Sequence, residues 1–330
     1  MNALQLTAPS TLETVELPRP EPGPGEVRIA VKACGICGSD LHGMDGSSGR
    51  RVPPVVMGHE ASGVIDALGS AVTGWQPGDR VTFDSTVWCG RCRFCNEGRV
   101  NLCESRQVVG VSCREFHRDG AFAEFLVLPS RILHRLPDAL PFEEAAFAEP
   151  VGVALHAVRR AGEVAGRSAL VVGSGLIGLL VLQALKRAGA GPVTAVDLDP
   201  SRLALARELG ADAGLPPDAP IPEHDLAFEV VGAAPTLELA LHSLRKGGRA
   251  VLVGNLAASV PFPLQLAVTR ELDVLGSCAI AEEYPEALAA LVDQEIRVRP
   301  LISSTFPLGD GAAAFAAARE PGALKVLITP

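Results

Sequence analysis

The spacing of apolar and polar positions divides the chain into two regions of different texture. Between Glu26 and Val31, charged and apolar residues alternate with a period of two, which predicts a half-buried β-strand. Other short apolar runs, interrupted by Gly, Pro and Asp, follow in ASGVIDALGS, GDRVTFDSTV and GAFAEFLVLPS. Together these runs predict an irregular, mostly β first domain over residues 1–151.

A different pattern begins after residue 151. VGVALHAVRRAG has the apolar spacing of a helix, and the run Ala169 to Val172, followed at once by glycines, predicts a buried parallel strand. Strand and helix patterns then alternate through PVTAVDLDPSRLALARELGAD, HDLAFEVVG, PTLELALHSLRKGG and RAVLVGN. This alternation predicts an α/β domain with a doubly wound parallel sheet over 152–290. The segment 291–330, with a strand, a helix and a strand, is expected to return to the first domain.

Composition narrows the class of protein. The chain has 330 residues, of which 48% are hydrophobic and 20% charged, so a sizeable core in two domains is expected and disorder is not. A net charge of −9 disfavours nucleic acid and anionic membranes as partners. The sequence has no long apolar stretch and no leader pattern, which favours a soluble cytoplasmic protein.

A glycine motif follows the strand that ends at Val172. Gly173, Gly175 and Gly178 form GxGxxG, whose glycines allow a tight turn, approach of the backbone to a pyrophosphate, and close packing of a helix. Asp197 lies 197 − 178 = 19 residues further on, where a carboxylate accepts hydrogen bonds from a ribose. No basic residue follows before Arg202, so NAD is favoured over NADP, while the alternative is a turn that serves only helix packing. The expected cofactor-binding residues are Gly173, Gly175, Leu176, Ile177, Gly178, Asp197 and Arg202.

Eight cysteines in a reducing compartment indicate metal or redox chemistry. Four of them form C-x2-C-x2-C-x7-C in a lobe at about 88–104, a set that closes the tetrahedral coordination of one structural zinc. An iron–sulfur cluster is the alternative, although its usual last spacing and its proline differ from this sequence. Free buried thiols are the other alternative. The four residues are Cys89, Cys92, Cys95 and Cys103.

The remaining residues of metal-ligand type are far apart in the sequence. Cys37 lies in CGICGSDLH, His59 and Glu60 in VVMGHEASG, and Glu149 in FAEPVG. One thiolate, one imidazole and one carboxylate would hold a zinc whose fourth position is open to water or an alcohol oxygen. Each residue alone is weak evidence for a metal, and only their combination with a dinucleotide fold favours a catalytic site.

These segments resemble the zinc-dependent medium-chain alcohol dehydrogenases, specifically the polyol branch with sorbitol, butanediol and threonine dehydrogenases. The resemblance covers nearly the whole chain and includes ACGICGSDLH, VVMGHEASGVI, the four-cysteine lobe, EPVGVALHAVRR, VVGSGLIG and LKVLI. It implies a GroES-like catalytic domain formed by 1–151 and 291–330 and a Rossmann domain formed by 152–290. It also implies a homodimer or homotetramer.

The resemblance assigns the catalytic metal site. Cys37 and His59 match two zinc ligands, and Glu60 and Glu149 match the carboxylates that share or exchange the remaining protein position, without a decision between them. Alcohol dehydrogenase is the familiar case of a Cys2His site, so Glu149 in the place of its second cysteine indicates the polyol branch. Asp40 matches the residue that orients the zinc-bound imidazole.

The resemblance also implies a proton relay. Ser39 and His42 match its hydroxyl and imidazole, although a solvent-facing loop histidine is the alternative for His42. Several relatives have a bulky residue after this histidine, whereas Gly43 stands here, so extra room beside the substrate is expected. Cys34 forms C-x2-C with Cys37, which makes a redox pair a further alternative.

The expected function is therefore an NAD-dependent zinc oxidoreductase that converts a secondary alcohol of a polyol, diol or sugar to a ketone, with two zinc ions per chain. A threonine-type amino-alcohol dehydrogenase is the alternative within the same class. A noncatalytic protein that binds NAD and zinc is the alternative from another class. Cys113 and Cys278 receive no role.

Overall fold

The structure is a computed structural model that describes all residues from Met1 to Pro330, and the chain forms two compact units. The first comprises Met1–Glu149, Ile280–Val292 and Val298–Pro330, and the second comprises Pro150–Ala279 and Asp293–Arg297. The boundary after Glu149 lies close to the expected domain boundary at 151/152. The second expected boundary, at 290/291, differs, because the segment 280–292 packs with the first unit rather than with the Rossmann domain. None of the helices has the length and apolar character needed to cross a membrane.

Twenty strands and ten α-helices make up the two units. The strands are β1 Asn2–Ala8, β2 Thr11–Glu16, β3 Glu26–Gly35, β4 Val55–Val56, β5 Glu60–Leu68, β6 Arg80–Phe83, β7 Thr86–Val87, β8 Gln107–Val108, β9 Val111–Ser112, β10 His117–Arg118, β11 Phe125–Pro129, β12 Leu133–Arg135, β13 Ala169–Val172, β14 Val193–Val196, β15 Ala213–Leu215, β16 His224–Glu229, β17 Leu244–Leu252, β18 Asp273–Gly276, β19 Ile302–Pro307 and β20 Lys325–Thr329. The helices are α1 Gly38–Gly43, α2 Arg93–Asn96, α3 Phe142–Ala145, α4 Ala148–Arg160, α5 Leu176–Arg187, α6 Pro200–Glu208, α7 Ala234–His242, α8 Leu264–Thr269, α9 Tyr284–Val292 and α10 Gly311–Ala317.

The first unit is mostly β, as predicted. Its main sheet has the strand order β12-β6-β5-β3-β20-β19, and β11 also pairs with β3. A second sheet has the order β2-β1-β4, and two short hairpin-like pairs, β7-β8 and β9-β10, complete the unit. The C-terminal segment supplies β19, α10 and β20, so its predicted return to the first domain is observed.

Helix α9 packs in the first unit through one buried aromatic residue. Tyr284 is 1% exposed and stacks on His134 with ring centroids 4.6 Å apart. Its hydroxyl oxygen accepts a hydrogen bond of 3.2 Å from the backbone N–H of Ser85. These contacts explain why the segment after residue 279 belongs to the first unit, which the apolar periodicity alone does not reveal.

The C-terminal strand also brings a buried lysine into the main sheet. Lys325, the first residue of β20, forms an ion pair with Glu60, the first residue of β5, and both side chains are 2% exposed. The Lys325 ammonium also donates a hydrogen bond of 3.0 Å to the carbonyl of Ile36. Gly35 of β3 lies under the pair, and a Cβ at this position would be 2.5 Å from Glu60 Oε2. The glycine is therefore required for the pair to form.

The second unit is a doubly wound sheet of six parallel strands, which confirms the predicted fold class. Its order is β15-β14-β13-β16-β17-β18. The chain forms β13, β14 and β15 outward on one side of the sheet, and then crosses back to form β16, β17 and β18 on the other side. This is the Rossmann order, in which the strand ends at β13 and β16 form a ligand crevice. One element differs from the pattern: the predicted helix over 235–248 ends at His242, and Leu244 already begins β17. Leu244 is fully buried, and Gly247 has a φ of +69°. A right-handed α-helix that continued to residue 248 would not permit this φ.

The turn between β13 and α5 depends on two close glycines. Gly173 has a φ of +99°, in the region that favours glycine, and its carbonyl lies against α5. A Cβ on Gly178 would lie 1.8 Å from the carbonyl oxygen of Gly173, whereas a Cβ on Gly175 would meet no atom within 4 Å. The last glycine of the motif is therefore required by packing, and the middle one leaves open space over the turn.

We expect Gly178→Ala to reduce the free energy of unfolding by about 2–3 kcal/mol, because the added methyl group must displace α5 from the end of β13. Gly175→Ala is the matched control and should change stability by less than about 1 kcal/mol. Urea unfolding of the two variants measures the difference. Equal stability of both variants would contradict the assigned packing role of Gly178.

Lys325→Met should reduce the free energy of unfolding by about 3–5 kcal/mol, because it leaves the buried Glu60 carboxylate without its counter-charge. Lys32→Met is the control, since Lys32 lies on β3 with an exposed side chain and should matter by about 0.5 kcal/mol or less. The same urea unfolding experiment applies. A Lys325→Met protein as stable as the control would show that the pair does not stabilise the sheet.

Candidate metal and dinucleotide sites

Three of the predicted metal ligands come together in the first unit. Cys37 follows β3 and precedes α1, while His59 and Glu60 stand at the start of β5, and β3 pairs with β5 so that Glu60 lies opposite Gly35. The ligand atoms of Cys37, His59 and Glu60 lie within 4.8 Å of one another. The pairing of two distant strand ends thus assembles a thiol, an imidazole and a carboxylate at one point.

Glu149 lies beside this group but is not part of it. It is the second residue of α4 and accepts a hydrogen bond of 3.1 Å from the Ser85 hydroxyl. Desolvation raises the pKa of its carboxyl to about 7, while the nearby charge of His59 opposes this shift and that of Glu60 adds to it. The structure therefore separates the two carboxylates that the sequence left equivalent, since only Glu60 clusters with Cys37 and His59.

The surroundings of His59 fit a metal ligand. The ring is 6% exposed, and its Nδ1 has no hydrogen-bond partner within 3.5 Å, although Asp40 Oδ1 lies 3.7 Å away. Asp40 is fully buried, and its other oxygen accepts a hydrogen bond of 3.2 Å from the Cys37 backbone N–H. With Nδ1 facing this carboxylate, Nε2 is the nitrogen left for a metal, which is the usual arrangement of metal-binding histidines.

The two residues expected in a proton relay both lie on α1. Ser39 and His42 are exposed, and the Ser39 hydroxyl accepts a hydrogen bond of 3.3 Å from Arg51. The expected free space beside Gly43 is not observed. A Cβ on Gly43 would lie 2.8 Å from Cγ of Arg51, so the stem of the arginine fills the volume that a larger residue at 43 would take.

The four-cysteine lobe forms a compact thiol cluster. Its sulfur atoms lie within 4.8 Å of one another, with Cys92 and Cys95 only 3.5 Å apart. Backbone N–H groups of Arg91 and Cys92 lower the pKa of the Cys89 thiol to about 6, which favours the thiolate that metals bind. All eight cysteines of the chain are free thiols. The lobe therefore provides four sulfur donors and no additional ligand position.

Burial of Cys34 disfavours a redox role together with Cys37. Cys34 is fully buried, and burial raises the pKa of its thiol well above the usual value. A thiol that stays protonated is a poor nucleophile. The packing thus assigns Cys34 to the core of the first unit.

In the second unit, Asp197 stands directly after β14 at the end of the crevice. Its Oδ2 accepts a hydrogen bond of 2.7 Å from the Ser174 backbone N–H, and its Oδ1 accepts one of 2.9 Å from the Asp199 backbone N–H. Arg202 lies 4.0 Å from Asp197. The hydroxyl of Ser174, between the first two motif glycines, is buried without a partner. Open space over Gly175, a carboxylate and an unpaired hydroxyl fit a bound dinucleotide.

Three residues of these sites escaped the sequence analysis. Lys325 has a recognisable signal, because a lysine at the start of the otherwise apolar KVLIT must be paired if the strand is buried. Burial alone would lower its pKa, but the charges of Glu60 and Cys37 raise it, so the ammonium stays protonated. Ser85 and Arg51 have no such signal, since their importance depends on contacts across the fold.

Comparison with known families matches both units. Residues 23–138 match the alcohol dehydrogenase GroES-like domain, and residues 177–293 match the zinc-binding dehydrogenase family. The chain is 36% identical to sorbitol dehydrogenase of Ovis aries, with 99% of this chain and 95% of that protein covered.

Solved structures agree with this assignment. A protein described as a zinc-binding dehydrogenase from Sinorhizobium meliloti 1021, bound to NADP, is 33% identical with a TM-score of 0.93, and the match covers 100% of this chain and 99% of that one. The 2R,3R-butanediol dehydrogenase of Bacillus subtilis is 31% identical with a TM-score of 0.89, covering 100% and 99%. The family predicted from the sequence motifs is thereby confirmed: the chain belongs to the zinc-dependent medium-chain alcohol dehydrogenases, in their polyol dehydrogenase branch.

Proposed function

We propose that this chain is a zinc-dependent enzyme that transfers a hydride from a secondary alcohol of a polyol, diol or sugar to NAD, with a ketone as the product. The observation that carries the proposal is the cluster of Cys37, His59 and Glu60. Three protein donors leave one position of a tetrahedral zinc for a substrate oxygen, as catalysis requires. The similarity to sorbitol and butanediol dehydrogenases supports a polyol or diol as the alcohol.

Glu60 is the carboxylate that we assign as the third ligand. It lies with the thiol and the imidazole, and its carboxylate is held by the ion pair with Lys325. Glu149, which Ser85 holds beside the cluster, is the carboxylate that can exchange with it. When bound, zinc polarises the alcohol oxygen and NAD accepts the hydride. The protein residues keep the ligands in place and carry away the alcohol proton.

Ser39 and His42 are proposed for this proton transfer. Both are exposed on α1, next to Cys37, so they can connect a buried reacting group with solvent. Ser39 already accepts a hydrogen bond from Arg51, which leaves its own proton free to be donated. The Ser39 hydroxyl can therefore receive a proton from the substrate and pass its own proton toward His42.

The four-cysteine lobe is proposed to hold the second zinc, with a structural role. Four thiolates saturate a tetrahedral ion, so no substrate can bind there. The lobe contains only the four-residue helix α2 and a 3₁₀ turn at Val100–Leu102, which are too short to form a core. The free energy of metal binding would therefore stabilise the fold of the lobe.

NAD is proposed as the preferred cofactor. The negative charge of Asp197 at the end of β14 favours ribose hydroxyls and repels a 2′-phosphate. Arg202 lies 4.0 Å from this carboxylate and 3.9 Å from that of Asp199, so two negative charges offset its positive charge at this position.

A cytoplasmic homodimer or homotetramer is the proposed state of the protein. Strand β18 lies at the edge of the Rossmann sheet, and the segment that precedes it exposes four large apolar side chains, Leu256, Phe262, Leu264 and Val268. An open edge strand with apolar neighbours favours pairing with a second copy. Eight free thiols suit a reducing compartment, and the negative net charge of −9 disfavours nucleic acid and anionic membranes.

The proposed activity is tested with purified protein whose zinc content is measured before each assay. We expect two zinc ions per chain and NADH formation with sorbitol or 2,3-butanediol, and slower formation with threonine. Glu60→Gln should lose more than about 100-fold in kcat/KM, because it removes a ligand of the reacting zinc. It should retain the zinc of the four-cysteine lobe, which shows that the unit stays folded although Lys325 loses its partner.

Glu149→Gln is the matched control and should retain both zinc ions. A reversed result for the two variants would transfer the ligand role to Glu149. Threonine as the preferred substrate would assign the amino-alcohol branch. No NADH with any alcohol, despite two bound zinc ions, would contradict the enzymatic proposal itself.

Asp197→Asn tests the cofactor assignment. We expect the ratio of kcat/KM for NAD to that for NADP to fall about 10- to 100-fold, since a hydrogen bond to a charged group contributes about 1.5–3 kcal/mol. Asp199→Asn removes the same charge two residues away and retains the cap of α6, so its ratio should stay near that of the unmodified protein. An unchanged ratio in Asp197→Asn would refute the role of Asp197.

A further inference from the structure

Arg51 is buried next to the helix that follows Cys37. Its side chain is 4% exposed, and its Nη2 donates hydrogen bonds to Asp40 Oδ1 at 2.9 Å and to the Ser39 hydroxyl at 3.3 Å. Its Nη1 donates one of 3.1 Å to the carbonyl of Arg50. The guanidinium thus contacts two neighbouring residues of α1 at once.

Asp40 connects Arg51 with the metal cluster. This carboxylate is fully buried, and Arg51 forms its ion pair of 2.9 Å. Its second oxygen accepts the hydrogen bond from the Cys37 N–H, and its first oxygen faces the unpaired Nδ1 of His59 at 3.7 Å. The orientation of one carboxylate therefore affects two of the three residues of the cluster.

Two observations indicate that Arg51 is not present simply to stabilise the fold. Its Nε is buried without a hydrogen-bond partner, which reduces the net stability gained from burying the guanidinium. Its stem also fits only because residue 43 is glycine, since a Cβ there would lie 2.8 Å from Arg51 Cγ. The fold thus contains a buried guanidinium with one unsatisfied N–H group, and it requires a residue without a side chain at position 43 of α1.

We propose that Arg51 is a positioning residue of the catalytic metal site: by pairing with Asp40, it keeps this carboxylate directed at the Cys37 N–H and His59 Nδ1. The inference rests on the proposed zinc site. Without a counter-charge, a buried carboxylate is unfavourable and turns toward water. It would then release the Cys37 backbone and the His59 ring, and both ligands would hold the metal in a less defined geometry.

The test is the rate at which zinc leaves the holoprotein in an excess of the chromogenic chelator 4-(2-pyridylazo)resorcinol. In Arg51→Met, we expect one of the two zinc ions to leave about 10- to 100-fold faster, the usual effect of losing a residue that orients a metal ligand. The other zinc, in the four-cysteine lobe, should leave at the unmodified rate and serves as the internal reference.

Further variants separate positioning from general stability. Arg51→Lys keeps the charge beside Asp40 and should restore most of the retention, whereas Gly43→Ala should accelerate release by displacing the stem while the arginine remains. Arg50→Met removes the neighbouring exposed charge and should release zinc at the unmodified rate.

The proposal is overturned if Arg51→Met releases both zinc ions at unmodified rates. It is also overturned if both ions leave faster together with a lower thermal unfolding temperature, because this result indicates a structural role. An unmodified protein that binds zinc only in the four-cysteine lobe would contradict the proposed function before any variant is compared, so the two failures are distinguishable.

Discussion

A buried ion pair between Glu60 and Lys325 is the constraint on which the catalytic unit depends. A carboxylate and an ammonium that are each 2% exposed must remain paired, because either charge alone is strongly unfavourable in the interior. The pair joins the start of β5 to the last strand of the chain, across Gly35 of β3. It therefore fixes the place of the C-terminal strand and at the same time directs Glu60 toward Cys37 and His59. The fold and the proposed metal site therefore depend on the same two charges.

The two proposed metal sites of the first unit differ in how the sequence specifies them. The four thiols of the lobe lie within fifteen residues, so their spacing alone predicts a closed site. The cluster of Cys37, His59 and Glu60 exists only because β3 and β5 pair in one register. A local site suits a structural ion that stabilises its own loop, whereas a site assembled from strand ends can combine different donors and leave a position open.

The sequence predicted the α/β fold, the glycine motif and its strand with the observed bounds, because turn glycines and apolar periodicity are local signals. It did not predict that α9 packs in the first unit, since this depends on the contact of Tyr284 with His134 and Ser85. It also could not choose between Glu60 and Glu149, because both are acidic residues at the start of an element. The sequence also predicted free volume beside Gly43. Arg51, eight residues further along the chain, fills this volume, and a contact of this kind depends on the tertiary fold.

The central claim, that one mixed-donor zinc and one four-thiolate zinc occupy the same unit, is tested most directly by zinc-edge X-ray absorption on the fully loaded protein. One thiolate in one cluster and four in the other predict an average of about 2.5 sulfur ligands per zinc, with nitrogen and oxygen as the remainder. Four sulfur ligands per zinc, with one zinc per chain, would contradict the account.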